Sequence, residues 1–243
     1  MKLPLELDEI SGLAYYAKDT SVFAISDEKG WLYKIRMNGE KEIDRWKFTS
    51  KADFEDIVLL DSAFYILESN GIIFKVTFEN DRIFSKEIPY PFESKDEYES
   101  LYYDDIRKKL IMVCKDCESD KKKSLTTVSF DPVTNEYSDS SSFTIDVKDI
   151  AKSLGEDKVR FKPSAAAINP ADSLLYIISS VNKIIVVTDR DGHFKSAHPI
   201  DPSLFKQAEG LTFSPTGTMM ISNEAGGVGV ADILIYSNHK IHP

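Results

Sequence analysis

Ala208-Glu209-Gly210-Leu211 is the fifth appearance of one pattern: Ile10-Ser11-Gly12-Leu13, Phe54-Glu55-Asp56-Ile57, Tyr98-Glu99-Ser100-Leu101 and Pro163-Ser164-Ala165-Ala166 precede it in the same register. Counted on the second residue of each, the intervals are 44, 44, 65 and 45 residues. A recurrence at that period marks a repeat architecture, and it decides the fold before any local reading does. The long interval carries 21 extra residues, and two segments can supply them: the charged stretch Lys115 to Lys123, and Asp146 to Asp157, whose Val147, Ile150, Ala151 and Leu154 fall at helical spacing.

Around each pattern lie short runs rich in branched and aromatic residues, parted by turn residues. In the first unit these are Gly12 to Tyr16, Ser21 to Ser26, Trp31 to Arg36 and Ile43 to Phe48, with Asp19-Thr20, Glu28-Lys29-Gly30 and Asn38-Gly39 between them. The second unit repeats the scheme with Ile57 to Leu60, Ala63 to Glu68, Ile72 to Thr77 and Arg82 to Ile88. Four strands in 44 residues is the length of a propeller blade. The termini give an independent check: 34 residues follow Glu209 and 10 precede Ser11, together one period. The expectation is an all-β chain forming a single five-bladed β-propeller of four-stranded antiparallel blades. Its blades fall at about 9–48, 53–90, 97–146, 162–201 and 207–240 of one domain, 1–243. Lys2 to Leu7 is expected to close the last blade as its outer strand, which removes an exposed edge. A two-sheet sandwich would explain neither the period nor the closure.

Composition narrows the function. Thirty Lys and Arg against 40 Asp and Glu leave a formal charge of −10, which argues against a nucleic-acid partner. The apolar share of 42% with 29% charged residues is that of a globular protein rather than a disordered one. The strongly apolar runs, Ile184 to Val187 among them, are far short of the roughly 20 residues of a membrane span. Met1-Lys2-Leu3-Pro4-Leu5-Glu6 has a proline and an acid where a signal peptide is uninterrupted and apolar, so no export signal is expected there.

Blade geometry turns register positions into a site. The first strand of every blade lines the axis, and its start lies at the same end as the turn between the second and third strands. Two sets of residues therefore converge on one mouth. The strand starts contribute Glu9, Ser11, Asp53, Glu55, Asp56, Glu97, Glu99, Lys162, Ser164, Gln207 and Glu209. Asp27, Glu28, Glu68, Asn70, Lys115, Asp116, Ser180, Asn182, Asn223 and Glu224 come from the turns. Three of the five equivalent markers are glutamates, Glu55, Glu99 and Glu209, and such neighbours either raise one another's pKa or hold a cation. A hard ion with oxygen ligands suits them, and calcium is the expected one. Zinc suits them less, because His193, His198, His239 and His242 lie late and scattered. The other reading is that the acids only satisfy loop amides and face a solvated channel; the residues leave both open.

Other motifs carry less. Cys114-Lys115-Asp116-Cys117 could be a redox pair or half a zinc site, but with no second pair two ordinary thiols are expected. Lys121-Lys122-Lys123 follows Glu118 and Asp120 and reads as a solvated loop. Gly226-Gly227-Val228-Gly229 precedes no helix pattern and reads as a loop over the mouth rather than a phosphate cradle. No G-x-S-x-G elbow is present.

In order, Glu9-Ile-Ser-Gly-Leu13 with Ile25-Ser-Asp-Glu28, Asp53-Phe-Glu-Asp-Ile57, Glu97-Tyr-Glu-Ser-Leu101 with Cys114-Lys115, Lys162-Pro-Ser-Ala165 with Ser179-Ser180, and Gln207-Ala-Glu-Gly-Leu211 with Ser222-Asn-Glu224 form a consistent set. In these motifs the chain resembles the SdiA-regulated, YjiK-like proteins from about Glu9 to Tyr236. That resemblance implies a propeller of the bacterial cell envelope, periplasmic or at the surface, with a calcium ion and an acidic mouth that binds a small molecule or a partner. The family is in turn similar to calcium-dependent propeller phytases and propeller lactonases, which implies a hydrolase as the alternative. In that case Glu55, Glu99 and Glu209 would hold the metal, Asp56 or Glu224 would act as base, and Lys115 or Lys162 would hold an anionic group of the substrate. A glycosidase is a third possibility, requiring one acid off the axis.

Overall fold

The computed structural model describes residues 1–37, 43–50, 52–92, 95–120, 124–226 and 229–237. Asn38-Gly39, Lys121 to Lys123, Gly227-Val228, His239 and His242, all considered above, lie outside the described residues.

The first blade is formed by β1 (Ile10–Tyr16), β2 (Ser21–Ser26), β3 (Trp31–Ile35) and β4 (Ile43–Lys47), hydrogen-bonded in chain order. The second has β5 (Phe54–Leu60), β6 (Ala63–Glu68), β7 (Ile73–Glu79) and β8 (Arg82–Ile88), and the third β9 (Glu97–Asp104), β10 (Lys109–Asp116), β11 (Ser124–Asp131) and β12 (Glu136–Asp146). The fourth has β13 (Ala165–Ile168), β14 (Leu175–Ser179), β15 (Ile184–Thr188) and β16 (Phe194–Pro199). The last is built from β17 (Ala208–Phe213), β18 (Met219–Asn223) and β19 (Asp232–Tyr236). Every pairing is antiparallel, and the five first strands contact one another in a closed ring, β17 meeting β1. This is the expected five-bladed propeller.

The seams between blades form the core, since each blade buries one face against the next. Phe23, Phe54, Phe64 and Phe74 fill the seam of the first two blades, and Tyr65, Met112 and Phe130 the next. Ile111, Ile145, Ile177 and Val186 lie between the third and fourth blades. There the helix α1 (Val147–Ser153) adds Val147, Ile150 and Ala151, as their spacing predicts, and the Asp146 side chain caps its start by accepting from the Lys148 amide at 2.8 Å. Ile178, Val187 and Ile221 seal the fourth seam, and Leu7, Ile10, Tyr33 and Ile233 the one that closes the ring.

The closure is shorter than expected. Lys2 pairs antiparallel with Asp232, and the Leu3 amide donates to the Ala231 carbonyl at 2.9 Å, so the N-terminus does supply the outer strand of the last blade. Strand character stops at Pro4, and Leu5–Leu7 is a 3-10 turn rather than the rest of a strand. Proline has no N–H for the ladder, and the turn drops Leu7 into the closing seam while leaving Leu5 exposed.

The cysteines require a second correction. Cys114 and Cys117 are not free thiols but form a disulfide, their Cα atoms 5.9 Å apart, where the chain leaves β10 for a 3-10 turn at Glu118–Asp120.

Candidate functional site

The marker residues face the axis because of backbone irregularity. Phe54 pairs with Glu68 and Asp56 with Leu67, so Glu55 is an extra residue without a partner on β6. Glu99 is skipped in the same way between Tyr98 and Ser100, as is Glu209 between Ala208 and Gly210. Ser11 and Gly12 sit in the corresponding shift of β1. A bulge leaves one residue out of the ladder and re-aims its side chain, and here it turns three glutamates into the mouth. Gly12 and Gly210 follow their markers because the ring is tight: a Cβ on Gly210 would stand 2.5 Å from the Ser11 carbonyl oxygen, and one on Gly12 2.6 Å from the Asp56 Cα.

The mouth is a cavity of about 380 Å³. Seven carboxyls line it, Asp27, Asp53, Glu55, Glu97, Glu99, Glu209 and Glu224, together with Lys115, Lys162, Ser11, Ser164 and Gln207. Lys115 reaches in and forms an ion pair with Glu99. Its charge also acts on Glu55 and Glu209, so all three glutamates feel one ammonium. Lys162 is held at the rim, donating to Asp116 at 3.1 Å beside Arg160.

The ammonium compensates the other carboxyls only in part. Burial, reinforced by Asp53 and Asp27, pushes Glu55 up to about 9. Burial and the charge of Glu224 push Glu209 up to about 8. Asp27 rises to about 7 through burial, the adjoining Asp53 carboxyl and the charge of Glu224. Burial, then the charges of Glu9 and Asp8, lifts Glu224 to about 7, with the Gln207 amide donating to it at 2.8 Å. Asp53 accepts from Ser69 Oγ at 2.6 Å, while Asp27 Oδ1 is buried without a hydrogen-bond partner.

Several expected mouth residues are engaged elsewhere. Asp56 is 1% exposed; its carboxylate accepts from the Ile57 and Leu101 amides, both at 2.8 Å, and joins the second blade to the third. It does not line the cavity and cannot reach a substrate there as a base, because the residue after the bulge points back into the ring. Asn223 is buried, donating to Asp232 at 2.9 Å and to the Leu204 carbonyl at 3.3 Å. Glu9 turns outward to Lys29 at 3.2 Å, Glu28 is exposed, and Glu68 accepts from Asn70 at 3.0 Å. Ser11 and Ser164 do line the cavity, but Ser164 Oγ is committed to the Ala208 carbonyl at 2.6 Å. Ser69, absent from the expected set, is part of the lining; its place one residue past the end of β6 was the available signal.

Among the described residues, two groups bring three metal-type donors within 4.8 Å of one another: Cys114, Cys117 and Asp120, and Asp189, Asp191 and His193. Glu55, Glu99 and Glu209 are not such a group.

The profile of the SdiA-regulated family matches residues 3–226. No curated protein matches the chain. Among solved structures, a glutaminyl cyclase from Myxococcus xanthus superposes with a TM-score of 0.60 at 13% identity, covering 94% of this chain and 92% of its own. Regucalcin from Agrobacterium tumefaciens, described as a calcium-binding protein, gives 0.58 at 11% identity over 96% and 90%. A luciferin-regenerating enzyme gives 0.57 at 10% over 98% and 93%. At these identities the likeness is one of fold.

Proposed function

The chain belongs to the SdiA-regulated family, and from that premise we propose that its acidic mouth is a calcium site through which the protein, in the cell envelope, binds a small anionic ligand or a partner. One observation carries the reading: seven carboxyls, three of them delivered by β-bulges, crowd one cavity, where burial and carboxylate repulsion raise the pKa of Glu55, Glu209, Asp27 and Glu224, a strain that a cation would relieve. The donor set fits a hard ion, being oxygen throughout, and the buried Asp27 Oδ1 lacks any partner. Asp27, Asp53, Glu55 and Glu209 would have to draw together around the ion, since no three of them bring ligand atoms within 4.8 Å of one another, with Glu99 recruited if Lys115 swings away. A bound divalent ion would supply positive charge for an anionic group, and Lys115 and Lys162, which line the same cavity, would orient that group. The fold likeness to a protein described as calcium-binding supports the reading without extending it to particular residues.

The test is calcium titration by calorimetry and thermal melting on chelator-stripped protein. Saturable binding with a raised melting temperature, lost in Glu55→Gln and Glu209→Gln, is the expected result. Absence of binding, with both variants as stable as the parent or more so, would refute it.

Metal-dependent hydrolysis is the second reading. It is favoured by Glu224 sharing one cavity with two lysines, a carboxyl and cation pairing suited to general acid-base work on an anionic ester. Turnover of phosphoesters or lactones that requires calcium and is lost in Glu224→Gln would select it.

A further inference from the structure

Beside the mouth, at the end of β10, lies a second cavity of about 220 Å³. Its walls include Cys117, Asp120, Glu118, Arg160 and Lys115. The disulfide holds the sulfurs of Cys114 and Cys117 together, and a carboxylate oxygen of Asp120 lies within 4.8 Å of both. All three residues are buried. From this arrangement we infer that, once the disulfide is reduced, Cys114, Cys117 and Asp120 form a binding site for a thiophilic divalent ion such as zinc.

The chemistry of the donors supports the assignment. A Cys-x-x-Cys turn presents two thiolates to one ion, and a carboxylate is a common third ligand. Asp120 is already oriented as such a ligand: it accepts from Thr126 Oγ1 at 2.5 Å, from the Thr126 amide at 3.1 Å and from Ser124 Oγ at 3.4 Å. The Asp120 amide donates to the Cys117 carbonyl at 3.2 Å, and the Glu118 amide to Asp96 at 3.0 Å, so the turn carrying both ligands is fixed from outside the disulfide. The cavity has room for a water or for Glu118 as the fourth donor, and Arg160 and Lys115, each paired with a carboxylate, lie in its walls.

Asp189, Asp191 and His193 make the contrasting case. They are more exposed, and their carboxylates already have cations: Lys195 stands 3.0 Å from Asp189, and Arg107 pairs with Asp191.

Opening the site needs a reductant of the dithiol class. One thiolate of the reagent attacks Sγ of Cys117, the cysteine that lines the cavity, and the bond between the cysteines breaks, Cys114 leaving as a thiolate that takes a proton. The second thiol of the reagent then displaces Cys117 and the reagent closes to its own disulfide, so two electrons and two protons have reached the protein. Zinc releases one proton from each cysteine as it binds.

Cobalt(II) added to dithiol-reduced protein, freed of reductant under anaerobic conditions, tests the site. One equivalent should give thiolate-to-cobalt charge transfer in the near ultraviolet and intense tetrahedral bands in the visible. Zinc should displace it and slow thiol labelling at least tenfold. The oxidised parent, which needs no substitution, should give no such bands, and neither should Cys114→Ser or Cys117→Ser, their folding checked by circular dichroism. Asp120→Asn should weaken binding about 10- to 100-fold. Because the other donor group is not involved here, Asp191→Asn should bind cobalt as the parent does. A disulfide that stays closed under dithiol, thiols labelled equally fast with and without zinc, or bands unchanged in Asp120→Asn would overturn the assignment.

Discussion

Lys115, near the end of β10, forms an ion pair with Glu99, the bulge residue of β9, and this pair stands where three axial glutamates would otherwise face one another. The ammonium is therefore an internal competitor for any cation that enters the mouth. Replacing it removes one positive charge among Glu55, Glu99 and Glu209. Lys115→Met should bind calcium about tenfold more tightly than the parent, a change of about 1.4 kcal/mol, and should melt at a lower temperature when stripped of metal. Calorimetry and melting of the two proteins side by side check both halves.

A second expectation concerns pH. In the unfolded chain the glutamates titrate near 4.5, whereas in the fold Glu55 keeps its proton to about 9 and Glu209 to about 8. Between those values the folded state binds more protons than the unfolded one. The contribution of these groups is thus fully present below about pH 4.5 and is lost as pH rises towards 8 and 9. Metal-free protein should lose stability from pH 5 to pH 8, and Glu55→Gln and Glu209→Gln should flatten that slope. For a chain of this size each kcal/mol recovered raises the melting temperature by roughly 2–4 °C. Calcium at about 100 times its dissociation constant should restore about 2.7 kcal/mol at pH 8.

The period was legible because each blade must present the same short strand to the axis, so Ser11, Glu55, Glu99, Ser164 and Glu209 recur in register. Which atoms face the mouth was less so. A bulge has no residue signature of its own at Glu55 or Glu99, and it sets Asp56 facing the opposite way from its neighbour. Asn223 and Glu68 lie at the right heights, but a buried amide and a rim carboxylate find partners nearer than the axis. The disulfide depended on the turn after Asp116, which a lone cysteine pair in sequence does not reveal.

Asp56 separates structure from function in the same motif. Its two oxygens accept from the Ile57 and Leu101 amides in a buried setting, where burial holds its pKa well above the usual carboxylate range. Asp56→Ala leaves both amides without partners and should cost roughly 2–4 kcal/mol, read as a lowered denaturation midpoint. Asp56→Asn keeps one acceptor and should cost less. Calcium affinity should be unchanged in Asp56→Asn, whereas a loss like that of Glu55→Gln would return Asp56 to the mouth.

Gly210 gives the most local test of why the motif takes this form. A methyl group there would stand 2.3 Å from Ser222 Oγ and 2.5 Å from the Ser11 carbonyl oxygen, so the closing blades would have to part. The Ser222 hydroxyl could rotate only by giving up its 2.7 Å bond to that same carbonyl. Gly210→Ala should therefore destabilise by roughly 2 kcal/mol or more, in the range of an overpacked core. Gly155→Ala is the control: φ is +73° there, but no atom lies within 4 Å of the new Cβ, so only the left-handed backbone resists it, at about 1 kcal/mol. Melting both variants with and without calcium distinguishes crowding at the ring closure from simple backbone strain, since only Gly210→Ala disturbs the strand that carries Glu209 and should lower calcium affinity as well.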